Sequence, residues 1–179
     1  MRSALLVTAA ILGGGLSTSL QAQNGAAAGS TAVPTAKLLW EPMIGYITAV
    51  AEELPESKYS YKPTPEVRSF GEMFGHVAGA QYMFCAVALG EPPRQEDDIE
   101  KSKKSKADLV AALKASTEYC NKAYAQDDRA AQGKIKLFGQ ERTRLHALGM
   151  NATHDAEHYG NLVTYMRINK MVPPSSRRQ

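Results

Sequence analysis

The chain has 179 residues and carries 21 Lys and Arg against 18 Asp and Glu, a formal net charge of +3. So near a balance there is no basic footprint for nucleic acid, and none is expected as a partner. The length suits one domain around one hydrophobic core.

The N-terminus predicts a secretory signal over residues 1–22. Arg2 supplies the positive start, Ala4 to Leu12 the short apolar core, and Leu20-Gln21-Ala22 a small-residue cleavage site. The apolar run is far short of the ~20 residues a membrane span requires. No cysteine follows it to carry a lipid, so no stable membrane anchor is expected. Cleavage after Ala22 would leave 157 residues and, with Arg2 removed, a net charge of +2 (20 basic, 18 acidic), in the periplasm or outside the cell. Residues 23–36 are small and nearly uncharged, and predict a flexible leader.

Four amphipathic helices are predicted over 37–174, followed by a tail at 175–179. The first spans about 37–54, with Trp40, Ile44, Ile47, Ala51 and Leu54 on one stripe. Pro42 fits only a first turn, which moves the expected start toward Glu41. Pro55, Pro63 and Pro65 mark an ordered connection. The second helix spans about 69–89. Ser69 and Glu72 form a capping box, Phe70, Phe74, Val77 and Phe84 mark one face, and Met73, His76, Ala80, Met83 and Val87 an adjacent one. Gly90 and Pro92-Pro93 stop it. Residues 91–106 mix both charges and predict a solvated loop. The third helix spans about 105–126, with Leu109, Ala112, Leu113, Ser116, Cys120 and Ala123 as its apolar face. Lys134 to Phe138 alternates briefly, as a short extended stretch would. The fourth helix is predicted over 140–170, with a bend or break near Gly149. The whole predicts an all-α, antiparallel four-helix bundle.

If the second and third helices are antiparallel neighbours, Cys85 and Cys120 lie ~15 Å apart along the axis. A disulfide needs Cα atoms within ~7 Å, so two free, buried thiols are expected.

His154 and His158 stand at i and i+4 on one helix face and could each turn a nitrogen to a shared cation. His146 lies ~12 Å further along the axis and is excluded. His76, on the inner side of the second helix, is the better third ligand. His76, His154 and His158 would make an open three-histidine site for a divalent ion: Zn, Ni or Fe. A lone histidine on an apolar face is ordinarily a core residue with a polar partner, but a pair of buried rings is harder to satisfy without a cation. The same five residues, His154 to His158, fit H-x-x-E-H, the inverted zinc-peptidase pattern. That reading needs a downstream acidic ligand, and none of the 21 residues after His158 is acidic.

The run Arg68 to Ala78 (RSFGEMFGHVA) and the ending His154 to Arg167 (HDAEHYGNLVTYMR) resemble the second and fourth helices of the DinB/YfiT-like superfamily. The likeness spans roughly residues 37–174. It implies a four-helix bundle whose second-helix histidine, His76, joins the H-x-x-x-H pair His154 and His158 around a divalent ion. Better-understood members are cytoplasmic and use low-molecular-weight thiols, whereas an export signal is predicted for this chain.

Two functions follow as expectations. One is a metal-dependent enzyme, a hydrolase or thiol transferase acting on a small molecule. Its catalytic residues are not identified by the sequence, Glu157, Glu72 and Tyr159 being weak candidates for a base. The other is a non-catalytic bundle that holds a metal or pairs with a second copy. Asn151-Ala152-Thr153 matches a glycosylation triplet but falls inside a helix, and Arg177-Arg178 would fray.

Overall fold

The computed structural model describes residues 31–177. The expected signal, most of the leader and Arg178 lie outside the described residues. Four long helices form the bundle: α1 (Ala32–Glu53), α2 (Phe70–Leu89), α4 (Lys106–Ala123) and α6 (Arg144–Ile168). Short helices α3 (Asp98–Ser102) and α5 (Asp128–Ala131) sit in the connections. A hairpin of β1 (Lys134–Leu137) and β2 (Gln140–Thr143) precedes α6. No helix among the described residues is long and apolar enough to cross a membrane.

α1 begins upstream of the expected start, inside the region read as leader. The Asp128 carboxylate accepts hydrogen bonds from the backbone N–H groups of Thr31, Ala32 and Val33 at 2.7, 2.9 and 2.7 Å. It thereby satisfies orphan donors at the positive end of the helix dipole. Pro42 consequently lies inside α1 rather than in its first turn. Both Pro42 and Leu38, whose carbonyl loses its intrahelical donor, are exposed, so water can take the freed carbonyl. The predicted stripe from Trp40 to Leu54 is buried throughout.

α2 is the central helix, buried on nearly every side, and its Ser69/Glu72 capping box is present. The six expected core positions of α4 are its buried residues. α6 runs through Gly149 without a break. It starts at Arg144 instead of near 140, because 140–143 pair with 134–137 across a turn in which Phe138 and Gly139 take positive φ. Thr143 then caps the helix by accepting from His146 N–H.

The helices surround the core in the order α1, α4, α2, α6. α1 and α4 are antiparallel: Leu54 meets Lys106, and Trp40 stacks on Tyr124. α2 and α6 are also antiparallel, with Phe70 beside Tyr165 and Phe84 beside His154. The other two neighbouring pairs are parallel. α1 and α6 match Trp40 with Asp155 and Tyr46 with Tyr159. α2 and α4 match Gly71 with Leu109, Gln81 with Ser116 and Cys85 with Cys120.

This direction overturns the expectation of free thiols. The segment after Gly90 runs back along α2 before α4 starts, so α4 descends beside α2 in the same direction. Cys85 and Cys120 fall level, with Cα atoms 5.2 Å apart, and form a disulfide. Nor is that segment simply a solvated loop. An added Cβ on Gly79 would lie 1.8 Å from the Glu96 carbonyl oxygen, and one on Gly75 would lie 2.7 Å from Glu100 Cα. The two glycines, one helical turn apart, let the crossover backbone rest directly on α2.

The last described residues also pack. Tyr159 Oη donates to Ser175 Oγ and accepts from Ser175 N–H, while Arg177 pairs with Glu53. The expected fraying at Arg177 is replaced by this ion pair.

Candidate metal centre

The antiparallel packing of α2 on α6 brings three imidazoles to one point. His76 projects from α2, and His154 and His158 from successive turns of α6. Their Nε2 atoms form a nearly equilateral triangle: 3.0 Å between His76 and His158, 3.1 Å between His76 and His154, and 3.0 Å between His154 and His158. Imidazole nitrogens bound at ~2.0–2.1 Å to one ion, at angles between octahedral and tetrahedral, stand about 2.9–3.4 Å apart. The spacing therefore fits a shared divalent ion. His146, on the same helix, is exposed and outside the cluster.

The electrostatics fit as well. His76 and His158 are each 7% exposed. Burial, reinforced by the Arg68 guanidinium and the neighbouring imidazoles, pushes the pKa of each down to about 3. Both rings are neutral at pH 7, the form that can ligate. Three ring nitrogens converge at about 3 Å, an arrangement that a shared cation would hold together. The Nδ1 atoms on the far side of all three rings are buried without a hydrogen-bond partner.

Carboxylates stand close behind. Glu100 Oε2 lies 3.6 Å from His76 Nδ1, and its oxygens accept from Arg68 Nε at 3.0 and 3.2 Å. Asp155 Oδ1 lies 3.8 Å from His154 Nδ1. Asp155 is fully buried, which raises its pKa to about 6, and its Oδ2 accepts from Trp40 Nε1 at 3.1 Å. Trp40 Nε1 is shared with Gln81 Oε1, and Gln81 Nε2 donates to Ser116 Oγ at 2.9 Å. A chain of polar groups thus links the back of the centre to α1 and α4. On the front, Glu96 Oε1 lies 3.5 Å from the Nε2 atoms of both His76 and His154.

A cavity of about 660 Å³ opens beside His158, lined among others by Arg68, Glu72, Glu100, Glu157 and Tyr165. The candidate bases separate here. Glu157 is exposed on the cavity wall. Glu72 lines it too, but its carboxylate accepts from Ser69 N–H and sits 3.4 Å from Lys62, contacts that lower its pKa. Tyr159 instead turns its hydroxyl to Ser175. The peptidase pattern finds no support, since the histidine pair is joined by His76 and not by a downstream acid.

The sequence pointed to all three histidines and missed the carboxylates. Asp155 had a signal: it occupies a core position in the stripe Leu148, Ala152, Asp155, Tyr159 and Leu162. Glu96 and Glu100 had none, since an acid in a charged connection resembles any solvated one.

The DinB superfamily model matches residues 33–162. Two similar crystal structures are those of DinB-like proteins from Bacillus subtilis and from Bacillus cereus ATCC 10987. The first is 21% identical with a TM-score of 0.63, over 81% of this chain and 99% of that one. The second is 14% identical with a TM-score of 0.66, over 79% of this chain and 95% of that one. At these identities they bear on the fold alone. No protein with a curated description matches the chain.

Proposed function

This chain belongs to the DinB superfamily, and we propose that it is an exported metal-dependent enzyme, of hydrolase or thiol-transferase type, that uses His76, His154 and His158 to hold one divalent ion. The observation that carries the reading is the convergence of three Nε2 atoms within 3.1 Å beside an open cavity. A divalent ion there would supply Lewis acidity, which lowers the pKa of a water or thiol. The protein's own residues do the positioning. Burial keeps His76 and His158 unprotonated, and the Trp40–Asp155 bond fixes the turn of α6 that carries His154. Arg68, Glu157 and Asn161 offer charged and polar groups to a small polar substrate in the cavity. The Cys85–Cys120 disulfide supports the export reading, because such bonds persist in oxidising compartments.

The second reading, a structural ion in a non-catalytic bundle, has its own support, since the three ligands tie α2 to α6. One experiment separates the two. Protein recovered from the exported fraction, with its N-terminus at Gln23, is analysed for bound metal, and the metal-free form is titrated with Zn²⁺, Ni²⁺ and Fe²⁺. One equivalent of metal is expected, with affinity falling at least ~100-fold in His158→Ala. If the metal-free variant keeps the wild-type melting temperature, the site is functional. If it unfolds, the ion is structural. Failure of the wild type to bind any of the three ions would sink both readings.

A further inference from the structure

We propose that Glu96 is a fourth protein ligand of the metal centre, so that this bundle offers three imidazoles and one carboxylate. The inference rests on the three-histidine reading and extends it to the crossover between α2 and α4.

Three observations carry it. First, Glu96 Oε1 approaches the ligating face of the cluster, 3.5 Å from Nε2 of both His76 and His154. Atoms bound side by side on one ion lie about 2.8–3.4 Å apart, so the carboxylate stands just outside that range from these two rings. Glu100 and Asp155, the other nearby acids, face the rear Nδ1 atoms of His76 and His154, and Glu100 is engaged by Arg68. Second, the backbone at Glu96 is pinned. Its carbonyl oxygen rests where any side chain at position 79 would be, and that glycine is three residues after His76 on the same helix. Third, the charge calls for it. Imidazoles ligate in the neutral form and leave the charge of a divalent ion to be offset by other groups. A carboxylate on the open face offsets that charge where the buried rings cannot.

The mixed ligand set has a consequence for metal choice. Imidazole with one carboxylate suits Fe²⁺, Ni²⁺ and Zn²⁺, and the carboxylate occupies one position that water would otherwise hold. It also couples the centre to the crossover, because Glu96 would tie that segment to the histidines.

The test compares wild-type protein with Glu96→Gln. Zn²⁺ affinity is read by competition with a chromophoric chelator, and Co²⁺ coordination by visible absorption. Glu96→Gln is expected to bind Zn²⁺ at least ~10-fold more weakly and to change the Co²⁺ spectrum. Wild-type affinity and spectrum in the variant would overturn the proposal and leave the three histidines intact. Weaker binding with an unchanged Co²⁺ spectrum would also overturn it, by placing Glu96 outside the coordination sphere. If the wild type binds neither ion, this proposal and the three-histidine reading fall together. Glu96→Asp, which keeps the charge and withdraws the oxygen by one methylene, provides a second variant. It is expected to bind more weakly than wild type with an altered Co²⁺ spectrum, and wild-type behaviour from it would contradict the proposed contact.

Discussion

Burial decides the protonation state of two candidate ligands, His76 and His158. His76 and His158 have folded-state pKa values near 3, against an ordinary 6.5. In metal-free protein the unfolded chain therefore takes up protons on these rings below about pH 6.5 that the folded chain refuses, and folding stability falls as pH falls through that range. Asp155 acts oppositely, since its folded pKa is raised from 3.8 to about 6 and the folded form holds the extra proton between those values. Two histidines outweigh one aspartate. Thermal melts of metal-free protein should show a lower melting temperature at pH 5 than at pH 7.5. Replacing both His76 and His158 by Gln should remove that drop. A melting temperature that is flat or rises on acidification would contradict the assignment of neutral, buried rings.

Among the elements, α2 does the most, because it is packed on nearly all sides and must also let the crossover backbone touch it. That contact makes its glycines unequal to those elsewhere. Gly79→Ala gains helix propensity of roughly 1 kcal/mol but drives a methyl group into the Glu96 carbonyl. A net loss of about 1–3 kcal/mol is expected, measured by chemical denaturation. Gly149→Ala on α6 meets nothing within 4 Å and should gain up to about 1 kcal/mol in the same assay. Equal effects at the two positions would show that the crossover does not press on α2. The apolar stripes of α1 and α4 and the Ser69/Glu72 cap were legible because each depends on residues a turn apart. The start of α1 was not, because the Asp128 carboxylate that caps it lies 97 residues away from Thr31.

In the whole molecule, parallel packing of α2 on α4 is what allows Cys85 and Cys120 to bond. Closing a loop of 35 residues should contribute about 3–4 kcal/mol by restricting the unfolded chain. Thiol titration under denaturing, non-reducing conditions is expected to find none, and reduction to lower the denaturation midpoint by an amount of that size. Two titratable thiols would mean that the bridge does not form. Helical periodicity, capping residues and the spacing of His154 and His158 are local properties, so the sequence by itself determined the four helices, their buried faces and three candidate ligands. Helix direction is not written in periodicity: a connection can turn at once or run back along the helix it leaves, with the same amphipathic pattern on either side. Only the tertiary structure decided that the second connection runs back. That choice levels the cysteines, seats the crossover on Gly75 and Gly79, and brings Glu96 to the histidines.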